Sequence, residues 1–280
     1  MVNKLIKGKI LCYFFTAALM MISTLVQAFD HQHQSFTEVL SKVVKLSPDK
    51  KQTRVDYGQL HKKPEQLNHY LAQLSSVKQS EYQQWSSDEQ LSFLINAYNG
   101  FTLQLIVHNY AKFQTGKAKS IKDLGSFFSN PWKQSFFTLL GEKRNLDDIE
   151  HQMIRQWFAR PRIHAALVCA AVSCPPLRPE AFVADKLNQQ LNSQMLQFLS
   201  DDQRNTIKIS ENTVYLSSIF KWYREDFEKG QQGFNRLEDL IKEYQAELAN
   251  YPQQLTWLQK QDYSIRFLDY DWRLNDISTF

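Results

Sequence analysis

The stretch from Leu91 to Val107 is apolar on nearly every side of a helix, and this constrains the fold more than any other segment. Ser86 and Glu89 fit a capping box, in which the serine side chain bonds the backbone of Glu89 and the glutamate reaches back. We therefore expect a long helix from this cap to about Tyr110. Because a helix without a wide polar face must be covered by other elements, the chain should fold around it.

Asn96 and Asn99 are the polar exceptions inside this helix. They lie three residues apart on one side of the helix, and buried amides must find hydrogen-bond partners. In a structural interpretation they bond the backbone of neighbouring loops and fix the packing. In a functional interpretation they orient a catalytic group or a substrate, and the sequence leaves both open.

Helices and short strands are predicted around the central helix, with few turns because the chain has only eight glycines and eight prolines. Apolar residues at helical spacing predict an N-terminal helical layer over 36–46 and 64–75. Further helices are predicted at 148 to about 158, 182–199, 218–227 and 234–249. Strands are predicted at 136–140, 163–168, 206–210, 213–216 and 265–272, with a two-residue hairpin turn at 211–212.

These elements predict the α+β class, as a helix-rich single domain with a small, mainly antiparallel sheet. Residues 29–79 form an N-terminal helical extension in this prediction, and residues 80–280 form the α+β domain. Residues 1–28 have the pattern of a signal peptide, with lysines before an apolar run that ends in Val26-Gln27-Ala28. An uncleaved anchor is the alternative, but the run is short and interrupted. We expect a periplasmic or secreted protein that meets the membrane only through this segment before cleavage.

The charge balance argues against a nucleic-acid partner. The formal net charge is +4, and three of these charges belong to lysines of the signal segment. A nearly neutral mature chain lacks the basic surface of a nucleic-acid binder. The expected partner is therefore a small-molecule or peptide ligand, whose identity the sequence does not give.

The stretch from His164 to Arg178 carries the candidate chemistry, because an apolar run is bracketed there by a histidine and by a cysteine before two prolines. Cys169 and Cys174 are the cysteines that remain after export. A cysteine hydrolase needs a thiolate, a histidine and a group that orients the histidine. Cys174 supplies the thiol and His164 or His151 the base, although Pro175 disfavours a nucleophile at a helix start.

Other interpretations of these residues stay open. A disulfide between Cys169 and Cys174 would fit an oxidising compartment and would leave no free nucleophile. Two inert core cysteines are a further alternative. The two cysteines, with His151 and His164, offer the donor types that zinc prefers, but their spacing matches no standard zinc motif. We predict no resident cofactor or metal.

Glu150 and His151 lie side by side on a predicted helix, where neighbours diverge by about 100°, so only one of them is expected to face the site. The pair Trp222-Tyr223 is expected to serve in packing. The candidate catalytic residues are Cys174, His164, Asn96, Asn99, Glu150 and His151. The candidate substrate-binding residues are Arg178, which suits a carboxylate or phosphate, Tyr98 and Ser173.

Four separated blocks resemble the domain-of-unknown-function family 547. They are Leu94–Asn99, Leu146–His151, His164–Leu177 and Phe267–Asn275. The resemblance spans about residues 80–275 and implies an exported bacterial member, but it implies no activity. Two functions follow as hypotheses. One is a thiol-dependent hydrolase or transferase acting on a peptide-like acyl substrate, and the other is a non-enzymatic binding or scaffold domain with a structural Cys/His/Asn network or a 169–174 disulfide.

Overall fold

A long buried helix, α5 (Ser87–His108), lies at the centre of the fold. The computed structural model describes residues 28–125, 129–260 and 262–279, so the predicted signal peptide lies almost wholly outside the described residues. The predicted capping box is present, since Ser86 Oγ accepts from the backbone N–H of Glu89, and Glu89 accepts from that of Ser86 at 2.8 Å. The prediction of a covered central helix is confirmed.

The N-terminal layer packs directly on α5 and belongs to the same hydrophobic core. Gly100 of α5 allows this close approach, because a Cβ there would lie 2.9 Å from Leu71 Cδ2. The layer contains one antiparallel hairpin, β1–β2. Its elements are α1 (Gln34–Val43), β1 (Val44–Leu46), β2 (Thr53–Val55), α2 (Tyr57–Lys62), α3 (Glu65–Ser76) and α4 (Gln79–Tyr82).

The middle of the chain is a series of short elements that lead from α5 to the site. The strand expected at 163–168 is wrong: a 3₁₀ helix, Pro161–Ala165, occupies its first half, since Pro161 starts a helical turn and the alanines favour strands weakly. The elements are α6 (Tyr110–Gln114), short 3₁₀ turns, β3 (Phe137–Leu139), β4 (Glu142–Arg144), a π-helix (Asp148–Ile154), α7 (Arg155–Trp157) and α8 (Leu187–Leu199).

The C-terminal part adds a three-stranded sheet and short helices. Strand β6 pairs antiparallel with β5 and parallel with β7. The predicted hairpin forms, but its loop is longer than two residues because a 3₁₀ turn over Ile209–Glu211 precedes Asn212. The elements are β5 (Thr206–Lys208), β6 (Thr213–Leu216), α9 (Ser218–Trp222), α10 (Arg224–Phe227), α11 (Leu237–Glu243), α12 (Gln245–Leu248), α13 (Pro252–Leu258) and β7 (Ser264–Phe267).

The chain is thus an α+β protein, as predicted, with two hydrophobic clusters that both include side chains of α8. The closing segment, residues 267–275, joins them, since Tyr270 packs against both clusters. Its backbone also bonds the loop after the 3₁₀ helix, with Val172 N donating to Arg273 O and Ser173 N to Asp271 O. Within the three described ranges, no helix has the length and hydrophobicity needed to cross a bilayer.

A candidate ligand cavity beside a cysteine pair

A cavity of about 190 Å³ lies where the central helix, the π-helix, the 3₁₀ helix, α9 and the closing segment meet. We call it the Glu150 cavity. Three tryptophans and three tyrosines contribute to its wall, together with two acids and two histidines. Its lining residues are Tyr98, Asn130, Trp132, Asp147, Glu150, His151, His164, Leu167, Cys169, Ile219, Trp222, Tyr223, Tyr270 and Trp272.

Glu150 is a buried carboxylate in this wall, with only 6% of its surface exposed. The Tyr223 hydroxyl donates to Glu150 Oε1 at 2.5 Å, and Tyr98 is also hydrogen-bonded to this carboxylate. Burial raises the pKa of both tyrosines well above the ordinary value, so both hydroxyls keep their protons and act as donors. None of the ion pairs among the described residues includes Glu150.

His164 lines the cavity and is hydrogen-bonded to Asp226, which lies outside the lining. Its Nε2 donates to Asp226 Oδ2 at 2.8 Å, and its ring stacks on Tyr223 with centroids 3.9 Å apart. Burial lowers the pKa of His164, which keeps the imidazole neutral. Burial acts to raise the pKa of Asp226, but hydrogen bonds from His164 and Arg155 outweigh it and hold that pKa well below its ordinary value.

Glu150 and His151 both line the cavity, so the expectation that only one of them faces the site is wrong. The segment is a π-helix, in which successive residues are separated by a smaller angle than in an α-helix. His151 Nδ1 accepts from Arg155 Nη1 at 2.9 Å, and its Nε2 lies 3.8 Å from Asp147 Oδ1. Asp147, Glu150 and His151 therefore all line the Glu150 cavity at this widened turn.

The mouth of the cavity is aromatic. The rings of Trp222, Tyr270 and Trp272 lie together, with centroid separations of 4.5–5.6 Å. Trp132 meets Trp272 edge to face at 6.0 Å. Trp222 is 47% exposed although it was expected to serve in packing, and its exposed ring forms part of the cavity wall.

Cys169 and Cys174 form a disulfide, one of the interpretations that the sequence left open. The two sulfurs differ in their surroundings, because Cys169 is half-buried and lines the cavity whereas Cys174 is buried and does not. Cys174 Sγ accepts from the backbone N–H groups of Cys169 and Ala171 at 3.1 and 3.3 Å. The Tyr270 hydroxyl donates to the same sulfur at 3.2 Å.

Asn96 and Asn99 are bound to loop backbone, as in the structural interpretation. Asn96 Nδ2 donates to Phe182 O, and Asn96 Oδ1 accepts from Phe182 N. Asn99 Nδ2 donates to Ala166 O, and its Oδ1 accepts from Val168 N, both at 2.9 Å. The two asparagines therefore anchor the segments on either side of the cysteine loop, residues 169–174, to the central helix. Neither asparagine lines the cavity.

Arg178 and Ser173 also lie outside the cavity lining. Arg178 pairs with Glu180 at 2.5 Å and donates to Ser193 Oγ at 2.8 Å. Ser173 Oγ accepts from the backbone of Asp271 at 2.9 Å, which ties the cysteine loop to the closing segment. In this arrangement both residues make contacts within the protein, whereas Tyr98, the third predicted substrate-binding residue, lines the cavity.

Sequence reasoning missed several residues of the cavity wall. Trp132, Trp272 and Tyr270 come from parts of the chain that carry no recognised catalytic motif, as does Asp226, which lies outside the lining and binds His164. The one available signal was the density of aromatic and acidic residues in the closing block. Among the described residues, no group of three His, Cys, Asp or Glu side chains is placed to hold a metal ion.

Residues 82–199 match the family model described as "Protein of unknown function, DUF547". The resemblance to this family is confirmed. Comparison with curated proteins and with solved structures finds no match. The matched segment supplies the Glu150 side of the cavity and both cysteines. The aromatic residues of α9 and of the closing segment come from outside it, so the DUF547 segment does not complete the cavity wall by itself.

Proposed function

We propose that the Glu150 cavity binds a small ligand that carries a positively charged ammonium group. The observation that carries this proposal is the Glu150 carboxylate, which is buried, has no ion-pair partner among the described residues and faces a cavity. A buried charge is costly unless it is paired, and two tyrosine hydroxyls satisfy it only in part. A ligand cation would complete the pairing.

The aromatic wall supports the same class of ligand. Tryptophan and tyrosine faces attract cations through their π-electrons, and aromatic cages are a common means of holding quaternary ammonium groups. One face of Trp272 already carries Lys122 Nζ, 3.5 Å from the ring centroid, so the ligand cation is expected on the other faces of the wall. Asp147 and Glu150 add two acids to the lining, while His164 is kept neutral by burial. The cavity of about 190 Å³ suits a compact ligand better than a long peptide.

Choline and its neutral isostere, in which a tert-butyl group replaces the trimethylammonium group, are suitable probes. We expect choline to bind the purified protein at least about tenfold more tightly than the neutral isostere does, since charge-assisted contacts contribute about 1.5–3 kcal/mol. Isothermal titration calorimetry gives both affinities. Equal binding of the two probes, or binding only of an uncharged sugar that stacks on the tryptophans, would overturn the proposal.

A thiol-dependent hydrolase or transferase acting on a peptide-like acyl substrate is the second candidate. It is favoured by the presence of Cys169 and His164 in one cavity wall, as a nucleophile and a base would require, although the nucleophile predicted from the sequence, Cys174, does not line the cavity. The disulfide leaves no thiolate, so this activity needs the reduced protein. Alkylation with and without reductant, followed by mass mapping, shows when the two thiols are free. An assay of the reduced protein with acyl substrates then tests the candidate: hydrolysis supports it, and an inert reduced protein excludes it.

We propose, in addition, that the protein works in the periplasm or outside the cell after removal of residues 1–28. The disulfide supports this location, because such bonds persist in oxidising compartments. N-terminal sequencing of protein recovered from the periplasm or the medium should begin near Phe29. Recovery of the intact chain from the cytoplasm alone would contradict the proposal.

A further inference from the structure

The disulfide between Cys169 and Cys174 has one accessible sulfur and one buried sulfur. Cys169 lines the Glu150 cavity, where a ligand can approach it, whereas the side chain of Cys174 is 1% exposed. A thiol that enters the cavity can therefore attack the sulfur of Cys169 and not that of Cys174. Attack at one sulfur makes the other the leaving group, so the surroundings of Cys174 decide how readily the bond breaks.

Three donors surround the leaving sulfur. The backbone N–H groups of Cys169 and Ala171 point at Cys174 Sγ, at 3.1 and 3.3 Å. The hydroxyl of Tyr270 lies 3.2 Å from this sulfur and 3.3 Å from Cys169 Sγ, so it can donate to the Cys174 thiolate once the bond breaks. Burial keeps the pKa of Tyr270 well above its ordinary value, so the hydroxyl remains a donor. Donors of this kind stabilise a thiolate, in the same way that they stabilise a carboxylate or an oxyanion.

The backbone of the loop is shaped for this arrangement at some cost. Ala170 adopts φ 61°, in the left-handed region that a residue with a Cβ avoids. This conformation lies between the two N–H groups that face the sulfur. The loop is held by the closing segment, since Asn275 N donates to Ala170 O at 3.0 Å. A disulfide that served only to link two chain segments would not require two backbone donors aimed at one of its sulfurs.

We propose that this disulfide oxidises a dithiol that enters the Glu150 cavity. One substrate thiolate attacks Cys169 Sγ, the Cys169–Cys174 bond breaks, and Cys174 leaves as a thiolate stabilised by its three donors. The second substrate thiolate then attacks the substrate sulfur of the mixed disulfide, forms the substrate disulfide and releases Cys169. The substrate loses two electrons and two protons, and the cysteine pair gains them. This chemistry does not depend on the ammonium ligand.

Mapping of the mixed disulfide in the wild-type protein tests the order of attack without any substitution. The folded protein is exposed to reduced glutathione, quenched in acid and analysed by peptide mass mapping. We expect glutathione on Cys169, with at least about tenfold less on Cys174, because only the first sulfur is accessible. Equal labelling of the two cysteines, or reduction that occurs only after the protein is unfolded, would overturn the proposal.

The role of the donors is tested with Tyr270→Phe, which removes the hydroxyl and keeps the ring. We expect the rate of reduction by dithiothreitol to fall about tenfold, as expected for loss of a hydrogen bond to a developing charge. Tyr251→Phe is the matched control, since Tyr251 is 66% exposed and makes no contact with the cysteines. Circular dichroism confirms that both variants are folded, and equal rates for the two would contradict the thiolate-stabilising role of Tyr270.

Discussion

The two buried asparagines of the central helix and the buried Glu150 of the π-helix differ in how their polar atoms are satisfied. Asn96 and Asn99 each make two hydrogen bonds to loop backbone, and neither lines the Glu150 cavity. Among the described residues, the hydrogen-bond partners of the Glu150 carboxylate are the hydroxyls of Tyr98 and Tyr223, and the carboxylate faces a cavity. Burial of a polar group therefore does not by itself mark a binding site. A buried carboxylate beside an open volume, without an ion-pair partner among the described residues, is the more informative feature.

Loss of an asparagine should give the largest effect. Asn99→Ala removes the partners of Ala166 O and Val168 N, and each unsatisfied buried group costs about 1–3 kcal/mol. We expect the free energy of unfolding to fall by about 4 kcal/mol in urea denaturation. The exposed Asn68→Ala, on α3, should change it by less than about 0.5 kcal/mol. A wild-type stability for Asn99→Ala would contradict the structural role of this residue.

The pH dependence of stability separates two buried histidines, one inside the packed core and one at the cavity. Burial lowers the pKa of His33 from 6.5 to about 3, and it lowers that of His164 as well. Below pH 6.5 these two histidines bind protons in the unfolded chain but stay neutral in the folded protein. The free energy of unfolding therefore falls as the pH falls. Each histidine should contribute a slope of up to about 1.4 kcal/mol per pH unit.

Urea denaturation between about pH 7 and pH 4 measures these slopes. His33→Gln and His164→Gln should each flatten the curve, whereas His69→Gln, at an exposed position, should not. If neither buried histidine alters the slope, their burial as neutral imidazoles is contradicted.

A smaller effect is expected at the rim of the cavity. Trp222 is half exposed, and cation–π contacts at such sites contribute about 0.5–1 kcal/mol. Trp222→Ala should therefore weaken choline binding about two- to fivefold, and Trp257→Ala, outside the cavity, should leave it unchanged. Calorimetric titration measures both variants. Unchanged affinity in Trp222→Ala would remove this ring from the binding surface.

The central helix, its cap and most flanking helices could be predicted because their signals are local. Ser86 and Glu89 lie three residues apart, and apolar residues cover nearly every side of α5. The strand expected at 163–168 was wrong because β-branching and apolarity there are weak, and Pro161 starts a helical turn. The alternative interpretations of Asn96 could be separated only by their partners, which lie more than eighty residues further along the chain.

The cavity itself could be predicted only in part. Tyr98, Glu150, His151 and His164 were predicted from three separate motifs, each of them local in the sequence. Tyr270 and Trp272 instead reach the site through backbone pairing of the closing segment with the cysteine loop. Tyr223 was assigned to packing because nothing in its neighbours shows that it faces a glutamate. The π-helix, which lets Glu150 and His151 share one cavity, has no recognised sequence signal in this stretch.

A double-mutant cycle between a residue and a ligand charge tests the central claim most directly. The affinities of wild type and Glu150→Gln are measured for choline and for its neutral isostere, with Glu243→Gln, at an exposed position on α11, as the control. If Glu150 pairs with the ammonium group, Glu150→Gln should weaken choline binding by about 2 kcal/mol and leave binding of the neutral isostere unchanged, which is a coupling free energy of about 2 kcal/mol. Glu243→Gln should change neither affinity. A coupling of zero, with both ligands weakened equally, would contradict the proposed pairing.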